Sequence, residues 1–268
     1  MSPPHAPSGH TRNGLPYNRL GDGADVLVVF DGIGFQNEPS HGIEARLSRR
    51  TYSFLSPDYE VFVVKRRRGL APGASIRDMS EDYAEMIRAE FSPPVDLIGL
   101  SYGGVIALEF AAGHPQLVRK LVLHSTSYKA SSLGKELLTQ ARDAARQGDW
   151  KRSTAAMMEA VYRPSWYKPA VIWALQRVAA LSDVSGDPSD FVVAVDAELG
   201  FDFSKRLGEI SAPTLLAAGE RDLALYAAES MHEMADTIPD CRFVFYPRAG
   251  HPVKGRQFER DVLGFLRD

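Results

Sequence analysis

Short apolar runs recur along the chain at spacings that suit buried strands. Val26-Leu27-Val28-Val29-Phe30 and Val61-Phe62-Val63-Val64 are uninterrupted and rich in β-branched residues. Val95-Asp96-Leu97-Ile98-Gly99-Leu100, Leu121-Val122-Leu123, Pro213-Thr214-Leu215-Leu216-Ala217-Ala218 and Arg242-Phe243-Val244-Phe245-Tyr246 repeat the theme. Runs this short, closed by turn residues, read as strands with both faces covered. Between them the pattern turns helical. Residues 75–91 predict a mostly polar helix with Ser75 as its N-cap. Residues 102–112 predict an apolar helix closed by Gly113 and Pro115, and further helices are expected near 223–237 and 255–267. Buried strands alternating with helices predict an α/β fold: a mostly parallel central sheet with helices on both faces.

One segment breaks that rhythm. From 127 to 207 there is no clear strand, and the stretch is helix-prone. It carries Tyr128, Trp150, Tyr162, Trp166, Tyr167, Trp173 and Phe191, including every tryptophan of the chain. It reads as a helical cap inserted between the fourth and fifth predicted strands, with 16–126 and 208–268 forming the core around it. Residues 1–15 open with a stretch rich in Pro, Ser and His and are expected to be a disordered tail.

Composition narrows the function classes. A chain of 268 residues with 44% hydrophobic and 24% charged residues is an ordinary globular protein. The net charge of −3 gives no general attraction to nucleic acid or to an anionic membrane. Cys241 is the single cysteine, so neither an intramolecular disulfide nor a cysteine metal cluster is available, and it is expected to be a small buried hydrophobe. No apolar stretch approaches membrane-spanning length, and the first residues lack the apolar middle of a signal peptide. A cytoplasmic protein acting on a small molecule is the expectation, with the oligomeric state left open.

The chemistry concentrates at Gly99-Leu100-Ser101-Tyr102-Gly103-Gly104, where a predicted strand meets a predicted helix. Ligands of open parallel sheets bind beyond the carboxyl ends of the strands, and Ser101 stands at such an end. The bare pattern Gly-x-Ser-x-Gly is weak, and its place between strand and helix is what gives it meaning. A serine hydroxyl needs a base, which is best a histidine oriented by a carboxylate. Asp222 follows the fifth predicted strand in Gly219-Glu220-Arg221-Asp222, and His251 follows the sixth in Gly250-His251-Pro252. The order Ser, Asp, His is one of the arrangements in which a serine triad occurs.

Those three stretches resemble the α/β-hydrolase superfamily, and the likeness extends over nearly the whole chain from Asp25. The resemblance implies Ser101 as nucleophile, His251 as general base and then acid, and Asp222 as the carboxylate that holds the imidazole. It implies an oxyanion hole from the backbone amides of Tyr102 and Ile33, and no metal or organic cofactor. The expected reaction is cleavage of a carboxylic ester, or a related acyl bond, of a small and largely apolar substrate through an acyl-enzyme. The same residues also suit a thioester, lactone, amide or diketone carbon–carbon bond, or a ligand receptor that kept the fold. Gly32, Phe35, His124 and Trp166 are the candidate substrate-binding residues.

The chain departs from many relatives in one place. Asp31-Gly32 stands where they have His-Gly. A carboxylate facing a developing oxyanion would raise the barrier, so Asp31 is expected to turn away and hydrogen-bond its own loop. Other residues compete for these roles. Glu220 lies near Asp222 but reads as a surface charge. His232 falls in a helical pattern and reads as a solvated or packed side chain. His124 ends a strand and reads either as pocket lining or as a satisfied core histidine. Lys65-Arg66-Arg67-Arg68 reads either as a solvated loop or as an attractor for an anionic substrate.

Overall fold

The computed structural model describes residues 7–161, 187–222 and 225–268. Its centre is an eight-stranded sheet. The strands are β1 Ser8–His10, β2 Pro16–Leu20, β3 Asp25–Phe30, β4 Tyr59–Val64, β5 Val95–Leu100, β6 Val118–His124, β7 Thr214–Gly219 and β8 Cys241–Tyr246, in the spatial order β1-β2-β4-β3-β5-β6-β7-β8. All pairings from β4 to β8 are parallel, while β1 and β2 join antiparallel at one edge. The apolar runs alternate between faces as the pleat demands. Val28 and Phe30 of β3 pack in one core, and Leu27 and Val29 in the other.

Eight α-helices lie among the described residues: α1 Gly42–Tyr52, α2 Ile76–Glu90, α3 Tyr102–Gly113, α4 Ser132–Arg146, α5 Trp150–Val161, α6 Ser189–Leu199, α7 Ala228–Thr237 and α8 Arg256–Arg267. Residues of α2 and α3 cover the Val28 face, and residues of α1 and α8 cover the other. The polar helix α2 starts where its cap predicts. Ser75 accepts from the Asp78 amide, and the Asp78 carboxylate accepts from the Ser75 amide, which closes a capping box.

Some expectations need correction. Within the described residues the supposed N-terminal tail is part of the sheet: Ser8–His10 pairs with β2, and Leu15 is completely buried. Ser8–His10 contains no apolar side chain, so its pairing through backbone groups leaves no pattern in the sequence. Among the described residues between β6 and β7 lie α4, α5, α6 and a 3-10 turn at Ser204–Glu209; residues 162–186 of the expected cap lie outside them. Helix α7 begins later than position 223, which leaves Tyr226 in the loop before it. No helix among the described residues is long and apolar enough to cross a membrane.

The chain runs from β3 outward to β4, then returns to β5 on the other side of β3. That reversal splits the loops after β3 and β5 and opens a crevice beyond their carboxyl ends.

Candidate active site

Ser101 is the hinge between β5 and α3. Its backbone adopts φ 52° and ψ −118°, a sparsely populated region for a residue with a side chain. Such a conformation costs about 1–3 kcal/mol and persists only where the surroundings impose it. Here they do. The Ser101 amide donates to the His124 carbonyl of the neighbouring strand at 2.9 Å, and its carbonyl accepts from the Gly104 amide at 2.8 Å. A side chain on Gly103 would lie 2.0 Å from the Phe30 carbonyl oxygen, and one on Gly99 would lie 2.6 Å from Gly104. The two glycines let helix and strand approach closely enough for the turn to exist.

Register carries the site across the sheet. Leu100 pairs with His124, His124 with Ala217, and Gly219 with Tyr246. Asp222 after β7 and His251 after β8 therefore rise from the same edge as Ser101. His251 Nδ1 lies 2.8 Å from Asp222 Oδ2. A carboxylate can only accept, so Nδ1 donates to it, and in the neutral imidazole the lone pair is then on Nε2. Ser101, Asp222 and His251 are all less than 8% exposed. A buried carboxylate–imidazole pair of this kind can take a proton from a hydroxyl and return it to a leaving group.

The loop after β3 closes the crevice. A side chain placed on Gly32 would lie 3.8 Å from Ser101 Cβ, so this loop runs directly beside the serine. Asp31 turns back as expected and accepts from the Gly32 amide at 2.9 Å. Burial raises its pKa, and the nearby charge of Lys65 opposes that rise. Arg66 clamps the loop from below. Its guanidinium donates to the carbonyls of Gly32 and Gly34 and to Asn37 Oδ1, and lies 4.7 Å over the Tyr102 ring. Tyr102 opens α3, so its amide has no partner within the helix. Ile33 is half-buried against the main core.

Phe35 packs against Phe191 and Trp150, with ring centroids 4.7 Å and 5.5 Å away, and so ties this loop to α6 and α5. A cleft of about 300 Å³ lies on the outer side of Phe35, lined among others by Asn37, Arg68, Trp150 and Asp190. Ser101, Asp222 and His251 do not line it.

His124 does not line the crevice. It is completely buried, stacked on Phe258, and its ring Nε2 donates to the Val253 carbonyl at 2.9 Å. Burial lowers its pKa to about 3, so it stays neutral and serves as a strut under the His251 loop. The basic run is likewise committed within the fold. Lys65 pairs with Glu44, Arg67 with Asp82 and Glu85, Arg68 with Glu38, and Arg66 is buried. Trp166 lies outside the described residues. Glu220 is exposed and accepts from the Arg248 amide, and His232 is exposed with its ring against Phe243. Cys241 is a half-buried free thiol.

Two residues missing from the sequence reading face the same space. Tyr226, completely buried, donates from its hydroxyl to Glu198 Oε1 at 2.9 Å. The Tyr226 ring lies 6.4 Å from that of His251. Burial pushes Glu198 up to about 7, with Tyr226, Arg66 and His251 opposing the rise. Glu198 stands three positions beyond the apolar run Phe191-Val192-Val193-Ala194-Val195, after Asp196, and nothing in that pattern singles it out.

Comparison with known proteins gives a consistent picture. A model of the alpha/beta hydrolase family matches residues 23–260. RutD of Variovorax paradoxus strain S110, named as a proposed carbamate hydrolase, is 31% identical over 207 residues, covering 74% of this chain and 75% of its own. The pimeloyl-acyl-carrier-protein methyl ester esterase of Chromobacterium violaceum is 26% identical and covers 87% and 89%. Among solved structures, the enol-lactonase from Burkholderia xenovorans LB400 superposes with a TM-score of 0.77 at 18% identity, covering 98% of this chain and all of that one, a likeness of fold.

Proposed function

The chain belongs to the alpha/beta hydrolase family and is a hydrolase, and we propose that it cleaves a carboxylic ester or closely related acyl bond through an acyl-enzyme on Ser101. The observation that carries this reading is the His251–Asp222 hydrogen bond of 2.8 Å on the same sheet edge as the strained Ser101 turn.

Ser101 Oγ attacks the acyl carbonyl as His251 Nε2 takes its proton. The oxyanion forms between α3 and the loop after β3, where the amides of Tyr102 and Ile33 face it. Each such donor is worth about 10²–10³ in rate. His251 then protonates the departing group, and water attacks the acyl-enzyme by the same route. The segment at 127–207 acts as the cap that excludes water and shapes the acyl pocket. Gly32 and Phe35 border that pocket. Ester, thioester, lactone, amide, carbamate and diketone substrates all suit this chemistry. The named activities of the relatives favour esters, lactones and carbamates as the first to try.

Labelling with a fluorophosphonate, followed by peptide mapping, tests the reading. An adduct on Ser101 in the wild type and none in Ser101→Ala is the expected result. No adduct, under conditions where a known serine hydrolase labels fully, would sink it.

A further inference from the structure

Arg66 is only 2% exposed, and the groups that its guanidinium contacts among the described residues are neutral. Nη1 donates to the Gly32 carbonyl at 3.3 Å. Nη2 donates to the Gly34 carbonyl at 3.4 Å and to Asn37 Oδ1 at 3.2 Å. Asn37 is fixed in turn, since its Nδ2 donates to the Arg67 carbonyl at 3.0 Å. The face of the guanidinium lies 4.7 Å over the Tyr102 ring. Burying a cation without a contacting carboxylate costs stability, so this charge calls for a use beyond packing.

The use lies in the peptide unit between Gly32 and Ile33. Its carbonyl and its amide belong to one trans plane, so they point in opposite directions. Held by Arg66 at the carbonyl end, the unit turns the Ile33 amide away from the guanidinium. That amide has no acceptor among the described residues. The preceding peptide is fixed as well, because the Gly32 amide donates to Asp31 Oδ1 at 2.9 Å. Gly32 itself lies beside the serine, since a side chain on it would sit 3.8 Å from Ser101 Cβ.

We propose that Arg66 is a positioning residue for the oxyanion: by holding the Gly32 carbonyl it aims the Ile33 amide into the crevice at Ser101. The proposal rests on the reading of Ser101 as nucleophile and of the Ile33 and Tyr102 amides as the oxyanion donors. Through its contact with the Tyr102 ring, the same guanidinium steadies the residue that carries the second donor. A cation at the carbonyl end also polarises the peptide, which strengthens its N–H as a donor. Lysine is a poor substitute. Its single ammonium on a flexible stem cannot span the Gly32 and Gly34 carbonyls as the planar fork of arginine does. Arg66 acts through the loop and not on the reacting atoms.

The test compares kcat/KM, which reports formation of the acyl-enzyme, in the wild type, Arg66→Met and Arg66→Lys. The substrates are para-nitrophenyl butyrate and its thiono counterpart, in which sulfur replaces the carbonyl oxygen. Sulfur accepts hydrogen bonds weakly, so the thiono ester draws little on the oxyanion donors. Fluorophosphonate titration to completion gives the concentration of reactive Ser101 in each protein. Per reactive serine, Arg66→Met should lose about tenfold to hundredfold on the oxygen ester, less than the about 10²–10³ that outright removal of an oxyanion donor costs. The thiono ester should change far less, so the preference for oxygen falls, and Arg66→Lys should lie between the other two. A merely structural role would lower the amount of reactive serine, or slow both esters equally, and keep the preference. An unchanged preference, or an unchanged rate on the oxygen ester, overturns the proposal while leaving the nucleophile intact. Should Arg66→Met not fold, Arg66→Lys decides by the same ratio. Absence of an adduct on Ser101 in the wild type overturns the underlying reading, and the proposal with it.

Discussion

Between Asp222 and His251 a single hydrogen bond of 2.8 Å decides which imidazole nitrogen is free. Asp222→Asn keeps the shape of the pair but presents an amide that can donate to Nδ1, which favours the tautomer with Nε2 protonated. The kcat of Asp222→Asn on an activated ester should fall by about 10⁴, as expected when a triad histidine is held in the wrong tautomer. A fall of less than tenfold would mean that Asp222 does not orient the base. These residues were legible in the sequence because each closes a strand in a short motif of its own, and chain order then places them on one edge. Glu198 and Tyr226 were not. A carboxylate near a helix end reads as a solvated terminus. Only the packing of α6 against α3, and of the loop after β7 against α6, turns it inward. Arg66 was visible only as one cation in a run of four, since nothing local reveals that its guanidinium lies beneath the loop after β3.

At the scale of elements, strands β3 to β8 were legible because each carries a short run of apolar residues at its centre, even where a charged residue such as Asp96, Lys120 or Arg242 interrupts or flanks it. Helix α1 was missed because Gly-Ile-Glu-Ala-Arg-Leu-Ser-Arg-Arg-Thr-Tyr carries too few apolar residues to show a periodicity. Strand β2 was missed because it mixes buried Pro16, Tyr17 and Leu20 with half-buried polar residues. The helix-prone pattern of α4, α5 and α6 was visible in the sequence, but the attachment of α6 was not. Helix α6 is held by Asp190, Ala194 and Glu198 to the loop after β4, to α3 and to the β7 loop. A helix held at its start, middle and end is a fixed wall of the crevice. Asp190→Ala leaves the amides of Gly69 and Leu70 without their acceptor, and the cost of such a loss is about 1–3 kcal/mol. Backbone amides of α6 should then exchange with solvent about tenfold faster or more, while those of β5 and β6 keep their wild-type rates. Equal exchange across α6 in the two proteins would show that Asp190 does not hold the helix.

For the whole molecule, the two buried titratable groups flanking the site make opposite contributions to stability. His124 has its pKa lowered from 6.5 to about 3 by burial. Between those values the unfolded chain binds the extra proton, so His124 makes the fold less stable as pH falls. Glu198 has its pKa raised from 4.5 to about 7 by burial. Between those values the folded chain binds the extra proton, so Glu198 makes the fold less stable as pH rises. Each slope is about 1.4 kcal/mol per pH unit at full effect, and the two oppose one another from pH 4.5 to 6.5. Asp31 and Asp82, also raised by burial, act in the same sense as Glu198 but are common to every variant compared. Urea unfolding across that interval should separate the pair. Relative to the wild type, Glu198→Gln leaves the histidine slope uncompensated and loses stability as pH falls. His124→Gln, which keeps a side-chain N–H for the Val253 carbonyl, leaves the carboxyl slope uncompensated and gains stability over the same fall. Three parallel curves would mean that neither group changes its protonation on folding. The fold would then hold neither His124 nor Glu198 away from its ordinary pKa.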